Sequence, residues 1–270
     1  MKIAYLIKKN TLQQDPSICS LLERLHAVGI ETYRLEGQFE PATELLLSFG
    51  GDGTFLSAAS LACVQGVPVL GVNLGRLGFL SDNEIDEVSQ ALLKGEYNIE
   101  ERDMIEVKVD GVKLENYFPY ALNEVVVRRL GTGTLALDVS VDSEILPRYW
   151  ADGILLSTSS GSTAYSLSVG GPICRPDVKA FILSPIAPHN LNLRPLILPP
   201  DSKVEIRAID RKSTGLALSL DNRDHVVPSG TSISVSSAPF KLKKIVIGKS
   251  NFIKALRTKL LWGEDVRNTQ

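Results

Sequence analysis

Gly50-Gly51-Asp52-Gly53-Thr54 sets one carboxylate among three glycines, after the apolar run Leu45–Phe49 and before a helix-like stretch from Phe55 to Val64. Glycine lets the backbone turn with φ > 0 and lets main-chain N–H groups approach phosphate oxygens with no Cβ in the way. A carboxylate beside bound phosphates is electrostatically unfavourable unless it has a task, such as taking the proton of an attacking hydroxyl or holding a cation. That is the chemistry of phosphoryl transfer. Gly50, Gly51, Gly53 and Thr54 are therefore candidate phosphate-binding residues and Asp52 the candidate catalytic group. The competing reading is a plain β-to-α turn in which Asp52 caps the next helix.

Other segments carry polar chemistry. Gly71-Val72-Asn73-Leu74-Gly75-Arg76-Leu77-Gly78-Phe79 follows the next apolar strand, and its glycines either bring backbone close to a ligand or serve a structural loop. Asn123-Glu124 interrupts the apolar stretch Ala121–Val127; adjacent strand residues face opposite sides, so at least one of the two must find partners in the protein or a cleft. The densest polar cluster, Ser157 to Tyr165, follows a strand and opens a helix, offering hydroxyls, free N–H groups and a flat ring suited to a nucleoside. Asp152, in Trp150-Ala151-Asp152-Gly153, is either a turn residue or a ligand-facing carboxylate. No Gly-x-x-x-x-Gly-Lys-Ser/Thr string occurs, which argues against a Walker-type loop.

The elements that must position these residues change character along the chain. Up to about residue 102 strands alternate with helices: Lys2–Ile7, Pro16–Val28, Glu31–Leu35, Leu45–Phe49, Phe55–Val64, Val67–Val72 and Asn83–Leu93. This order predicts a parallel sheet with covering helices. From Asp103 period-two segments take over, at Ala121–Arg128, Leu135–Val141, Gly153–Ser157, Phe181–Ser184, Val204–Ala208, Leu216–Leu220 and Ile233–Ser236, predicting a β-rich, sandwich-like domain interrupted by one helix at Thr163–Val169. Asn251–Trp262 has the apolar spacing of a terminal helix returning to the first domain. The expected division is 1–102 with 248–270 against 103–247.

Composition narrows the class. With 270 residues, 44% hydrophobic, the chain can bury a substantial core. A near-balance of 29 basic and 31 acidic residues, net −2, gives no global field for nucleic acid or anionic membrane. Three scattered cysteines, Cys19, Cys63 and Cys174, form neither a disulfide framework nor a zinc site. The short apolar stretch Ile3–Ile7 is below the length of a signal core or membrane span. The expectation is a cytoplasmic protein.

Taken in order and spacing, the Gly-Gly-Asp-Gly-Thr turn, the loop ending in Leu77-Gly78-Phe79, Asn123-Glu124, Asp152-Gly153, Gly161-Ser162-Thr163-Ala164-Tyr165-Ser166-Leu167-Ser168, Gly170-Gly171-Pro172 and the Pro185–Leu196 segment resemble the NAD kinase family over nearly the whole chain. The glycine-aspartate turn alone also occurs in diacylglycerol, sphingosine and 6-phosphofructo kinases; the Ser-Thr-Ala-Tyr segment sets this chain apart. The resemblance implies phosphoryl transfer from ATP, arriving with Mg²⁺ or another divalent metal and with no protein metal site, to the 2′-hydroxyl of NAD's adenosine ribose. It implies that Asp52 contacts that ribose as general base, that Gly53 admits the backbone and that Phe79 closes the pocket. Asn123 and Glu124 would hold ribose and adenine, with Ser160, Thr163, Ala164, Tyr165, Ser166, Leu167 and Ser168 around the nucleotide. Asp152 and Ala187 match positions that in family oligomers reach a dinucleotide bound mainly by a neighbour, implying a homodimer or homotetramer. Alternatives from other classes are a lipid or sugar kinase sharing the turn, and a non-catalytic NAD sensor.

The chain departs from the family pattern at three places. Ser159 replaces a proline, removing a φ constraint and leaving the loop freer; Asp221-Asn222-Arg223 stands for Asp-Gly/Ser-Gln; and Trp150 occupies a basic position. These bear on the choice between NAD and NADH and on the 2′-phosphate.

Overall fold

The computed structural model describes residues 1–75, 78–210, 215–248 and 251–263. The chain forms two compact units, one made of residues 1–101 and the segment from Leu242 onward, the other of residues 102–241.

The first unit is built on a sheet ordered Glu31–Arg34, Lys2–Ile7, Leu45–Phe49, Val69–Asn73, Leu242–Val246, Asn98–Arg102, with the short Asn83–Glu84 strand also on Val69–Asn73. The first four strands pair in parallel, as does Leu242–Val246 with Val69–Asn73. Leu45–Phe49 and Val69–Asn73 are buried along their whole length, the pattern of a parallel sheet covered on both faces. Covering helices start and stop where local chemistry says they should. Asp15 accepts the Ser17 N–H at 2.9 Å ahead of Pro16–Ala27, whose Ile18, Leu21 and Leu25 are buried. A Glu84/Glu87 capping box opens Ile85–Lys94, and Gly95 closes it in the left-handed region.

Two expectations need correction in this unit, and one strand was not foreseen. The helix after the glycine turn begins at Asp52 and runs to Ala62, so Asp52-Gly53-Thr54 form its first turn and Gly51 is its cap. Helicity starts with Ile85, because Asn83 and Glu84 pair as a strand. Leu242–Val246, unforeseen, is inserted inside the sheet: its Lys244 breaks the apolar run yet is buried.

The second unit has two antiparallel sheets, ordered Glu144–Ile145, Leu135–Val141, Val204–Ile209, Ser232–Ser237, Ile105–Val109, Tyr120–Ala121, and Leu196–Leu198, Phe181–Ile186, Gly153–Thr158, Glu124–Arg129, Leu216–Leu220, Arg223–Val227. Inward residues of both, such as Leu137, Val139 and Ile206 against Val127, Leu156 and Leu218, belong to one core cluster, as in a sandwich. Ala121 to Arg128 is not one strand. Tyr120–Ala121 lies in one sheet, Glu124–Arg129 in the other, and Leu122-Asn123 carries the chain across. The helix foreseen at 163–169 is a 3-10 turn, Ser160–Thr163, followed by one α-turn, Tyr165–Ser168.

Candidate active site

In the first unit the strand Leu45–Phe49 delivers the chain to Gly50, whose φ of 144° places it where side chains strain; a Cβ there would also meet Thr54 Oγ1 at 2.6 Å. Gly50 is the one glycine of the turn in that region. Gly51 and Gly53 have no such internal reason, since a Cβ on either would meet no described atom within 4 Å. Gly50, Gly51 and Thr54, with Lys9, Thr11, Leu12, Asn73, Leu74 and Gly75, line a cavity of about 300 Å³.

Asp52 does not cap its own helix. Its Oδ1 accepts the Leu80 and Ser81 N–H groups, each at 3.0 Å, and Oδ2 accepts the Phe79 N–H at 3.0 Å and the Lys259 ammonium at 3.2 Å. Burial by itself would raise the carboxyl's pKa, but the three backbone donors and the Lys259 charge outweigh it and hold Asp52 below the usual carboxylate range, so it is ionised. Gly78 makes the approach possible: a Cβ there would lie 2.0 Å from Asp52 Oδ1. The loop is fixed from behind. Asp82 pairs at 2.8 Å with Lys244, both buried, while Asn251 donates to the Asp82 carbonyl at 3.0 Å and Asn83 to the Gly71 carbonyl at 3.0 Å. Phe79 is half-buried, 6.0 Å from the Phe252 ring, with the Lys259 ammonium 5.0 Å above its face. Arg76 and Leu77 lie outside the described residues.

In the second unit Asn123 and Glu124 are 6% and 7% exposed. Asn123 Oδ1 and Glu124 Oε2 have no hydrogen-bond partner among the described residues. Asp221, at φ 50°, takes the Leu122, Asn123 and Glu124 N–H groups on its carboxylate at 3.0, 2.8 and 3.3 Å. Glu124 is pushed up to about 8, chiefly by burial, then by the neighbouring Asp221 charge, against one N–H from Tyr165. Burial pushes the Asp221 carboxyl up as well, against its three N–H donors and the Arg223 charge; Glu124, with a single donor, is the better placed of the two to hold a proton.

The Ser157–Ser168 segment is brought against this pair. Thr158 donates its hydroxyl to the Leu122 carbonyl at 2.6 Å and accepts the Gly161 N–H at 3.2 Å. Ser160, Thr163, Ala164 and Leu167 are half-exposed, Tyr165 and Ser168 exposed, and Ser166 is buried. Ser159 corrects the expectation of a freer loop: its φ is −60°, the angle proline would impose, and its hydroxyl donates to the Val178 carbonyl. Of the other departures, Arg223 donates to the Tyr120 carbonyl and lies 5.2 Å from the Phe118 ring centre, so Asp221 and Arg223 both act within the fold.

Asp152 pairs with Arg129, whose Nη2 donates to Oδ2 at 2.8 Å while Nε lies 2.8 Å from Oδ1. That hydrogen-bonded pair, chiefly, lowers its pKa. Its N–H donates to the Ile186 carbonyl at 2.9 Å, which sets it beside Ala187, exposed at φ 46°. Trp150 lines a second cavity of about 500 Å³ with Thr132, Gly133, Thr134, His189, Asn190 and Asp210. Among the described residues no three His, Cys, Asp or Glu side chains gather as a metal site, and no helix is long and apolar enough to cross a membrane.

Lys9 and Lys259 were not foreseen as site residues, and Asp221 was singled out only within the Asp221-Asn222-Arg223 segment, without its role beneath Asn123-Glu124. The Lys8-Lys9 pair directly after the first strand was the available signal for Lys9; nothing local marks Lys259.

A family model of the ATP-NAD kinase N-terminal domain matches residues 6–97, and one of the ATP-NAD kinase C-terminal domain matches residues 122–247. An NAD kinase of Flavobacterium psychrophilum is 41% identical over 233 residues, 83% of this chain and 78% of the relative. One of Porphyromonas gingivalis is 38% identical over 290 aligned positions, 98% and 99% of the two chains. The crystal structure of yeast NADH kinase complexed with NADH superposes with a TM-score of 0.85 at 27% identity, over all of this chain and 90% of that one. An NAD kinase from Archaeoglobus fulgidus in complex with ATP gives 0.76 at 25%, over 97% and 99%.

Proposed function

The chain belongs to the NAD kinase family, and on that premise we propose how its residues divide the reaction. The reaction is transfer of the terminal phosphoryl group of ATP to the 2′-hydroxyl of NAD's adenosine ribose, giving NADP.

Asp52 is the general base. One observation carries this: an ionised carboxylate stands in the first turn of a helix whose flanking glycines, Gly51 and Gly53, leave open space that none of the described residues fills. The ribose hydroxyl is a poor nucleophile at neutral pH, and a positioned carboxylate that takes its proton late in transfer contributes roughly 10²–10⁴-fold. Gly51 and Gly53 give main-chain donors to the phosphates, while the Gly50 and Thr54 N–H groups, donated to the Val72 and Gly51 carbonyls at 3.0 and 2.9 Å, shape the turn around them. Mg²⁺ enters as part of the Mg–ATP substrate. Alignment and charge supply the larger share of the acceleration.

Glu124, carrying a proton, offers a carboxyl O–H to a ring nitrogen or ribose oxygen, while Asn123 Oδ1, unpartnered among the described residues, accepts from a ribose hydroxyl. Ser160, Thr163, Ala164, Tyr165, Ser166, Leu167 and Ser168 surround the nucleoside. The protein is a cytoplasmic homodimer or homotetramer in which Asp152 and Ala187 serve a neighbour's dinucleotide.

The decisive experiment measures NADP formation from NAD and Mg–ATP through an NADP-specific dehydrogenase. Asp52→Asn is expected to lose orders of magnitude in turnover while binding NAD within about tenfold of the parent; unchanged turnover would remove Asp52 from the base role. For the shared site, mixing inactive Asp52→Asn with inactive Asp152→Asn is expected to restore part of the activity, and no restoration after verified subunit exchange would sink it.

A further inference from the structure

An ionised carboxylate offers about four acceptor positions on its two oxygens, and those of Asp52 meet four donors: Leu80, Ser81 and Phe79 N–H and the Lys259 ammonium. A hydroxyl that gives its proton to Asp52 must therefore displace a donor. The three N–H groups cannot retreat without moving a loop that is held by the Gly78 N–H on the Ser81 carbonyl at 2.9 Å and by the buried Asp82–Lys244 pair and Asn251 behind it. Lys259 is different. It sits near the end of the helix Phe252–Leu260, its side chain is about one-third exposed, and a four-carbon stem lets its ammonium swing. The Phe79 face, 5.0 Å from that ammonium, gives the charge a place to rest once it leaves the carboxylate.

We propose that Lys259 is the exchangeable donor on Asp52: it yields Oδ2 to the attacking ribose hydroxyl and carries its positive charge to the phosphoryl group being transferred. This rests on the base role assigned to Asp52. In the step the ribose oxygen forms the new bond to the terminal phosphorus, the bond from that phosphorus to the bridging oxygen breaks with its electron pair leaving on ADP, and the hydroxyl proton passes to Asp52. Lys259 keeps its own protons and donates hydrogen bonds to the non-bridging oxygens, where charge is spread in the transition state.

The test is steady-state NADP formation by Lys259→Ala, Lys259→Arg and, on the same helix, Lys254→Gln, with melting temperatures and with methylammonium added. Lys259→Ala is expected to lose at least thirtyfold in kcat with KM for NAD unchanged or lower, since the hydroxyl no longer has a competitor. Methylammonium should restore part of the kcat in a saturable way, Lys259→Arg should keep more than the alanine variant, and Lys254→Gln should match the parent. A Lys259→Ala enzyme within twofold of the parent in kcat overturns the proposal, as does a loss that appears only as raised KM or that methylammonium leaves untouched. Asp52→Asn, assayed in parallel, separates the two readings. If it is inactive while Lys259→Ala is not, the role of Lys259 alone falls; if it is active, the base role falls and this inference with it.

Discussion

Glu124 and Asp221 share one low-dielectric neighbourhood, and the proton on Glu124 is what lets them coexist. Below about pH 4.5, the usual glutamate value, both folded and unfolded chains hold that proton; between there and about 8 only the folded chain does, so stability falls as pH rises, by about 1.4 kcal/mol per unit at most, and levels off above. Glutamine cannot ionise. Glu124→Gln is therefore expected to melt above the parent at pH 8, with the gap closing towards pH 5; parallel melting curves across that range would mean Glu124 is charged. The residue types at this site were legible in the sequence, because buried polar residues in an apolar stretch need partners. Their settings were not. Asp52 and Asp221 both receive three consecutive main-chain N–H groups, and such a nest depends on loop dihedrals and on chain segments far away, 97 to 99 residues from Asp221.

At the scale of elements, the loop 78–82 decides where Asp52 points. Gly78→Ala would drive a Cβ into the carboxylate and within 2.8 Å of the Ser81 carbonyl, so it is expected to cut turnover at least a hundredfold while costing about 1–3 kcal/mol in stability. Wild-type kcat in that variant would show the loop to be dispensable. Periodicity revealed the strand–turn–helix order but misplaced a helix start, ran two strands together and missed a third, each for a physical reason. Glycine at the second position of the helix Asp52–Ala62 hides its start, because glycine is a poor helix former and the apolar pattern begins only at Phe55. A strand that changes sheets at Leu122-Asn123 looks continuous in sequence. Leu242–Val246 escaped notice because Lys243-Lys244 looks like surface, and the acid that permits Lys244 to be buried, Asp82, is 162 residues away.

For the whole molecule, composition and order of elements were enough to read an α/β unit followed by a β-rich one, since each rests on local patterning. Where the sheet of the first unit closes was hidden, because it closes with the last strand. A chain ending at Lys241 would leave Val69–Asn73 and Asn98–Arg102 without their shared partner and Asp82 without its lysine. In limited proteolysis such a chain is expected to lose residues 1–101 rapidly while 102–241, which keeps both of its sheets, resists; equal protection of the two would refute this. The same insertion puts a clock on biosynthesis. The ribosome makes the outer strand Asn98–Arg102 and then the entire second unit before it makes the strand that must slide in beside it, a delay on the order of ten seconds at about 5–20 residues per second. Throughout that interval Val69–Asn73 and Asn98–Arg102 each present an open edge to the surroundings, and Asp52 waits for Lys259, which is made later still.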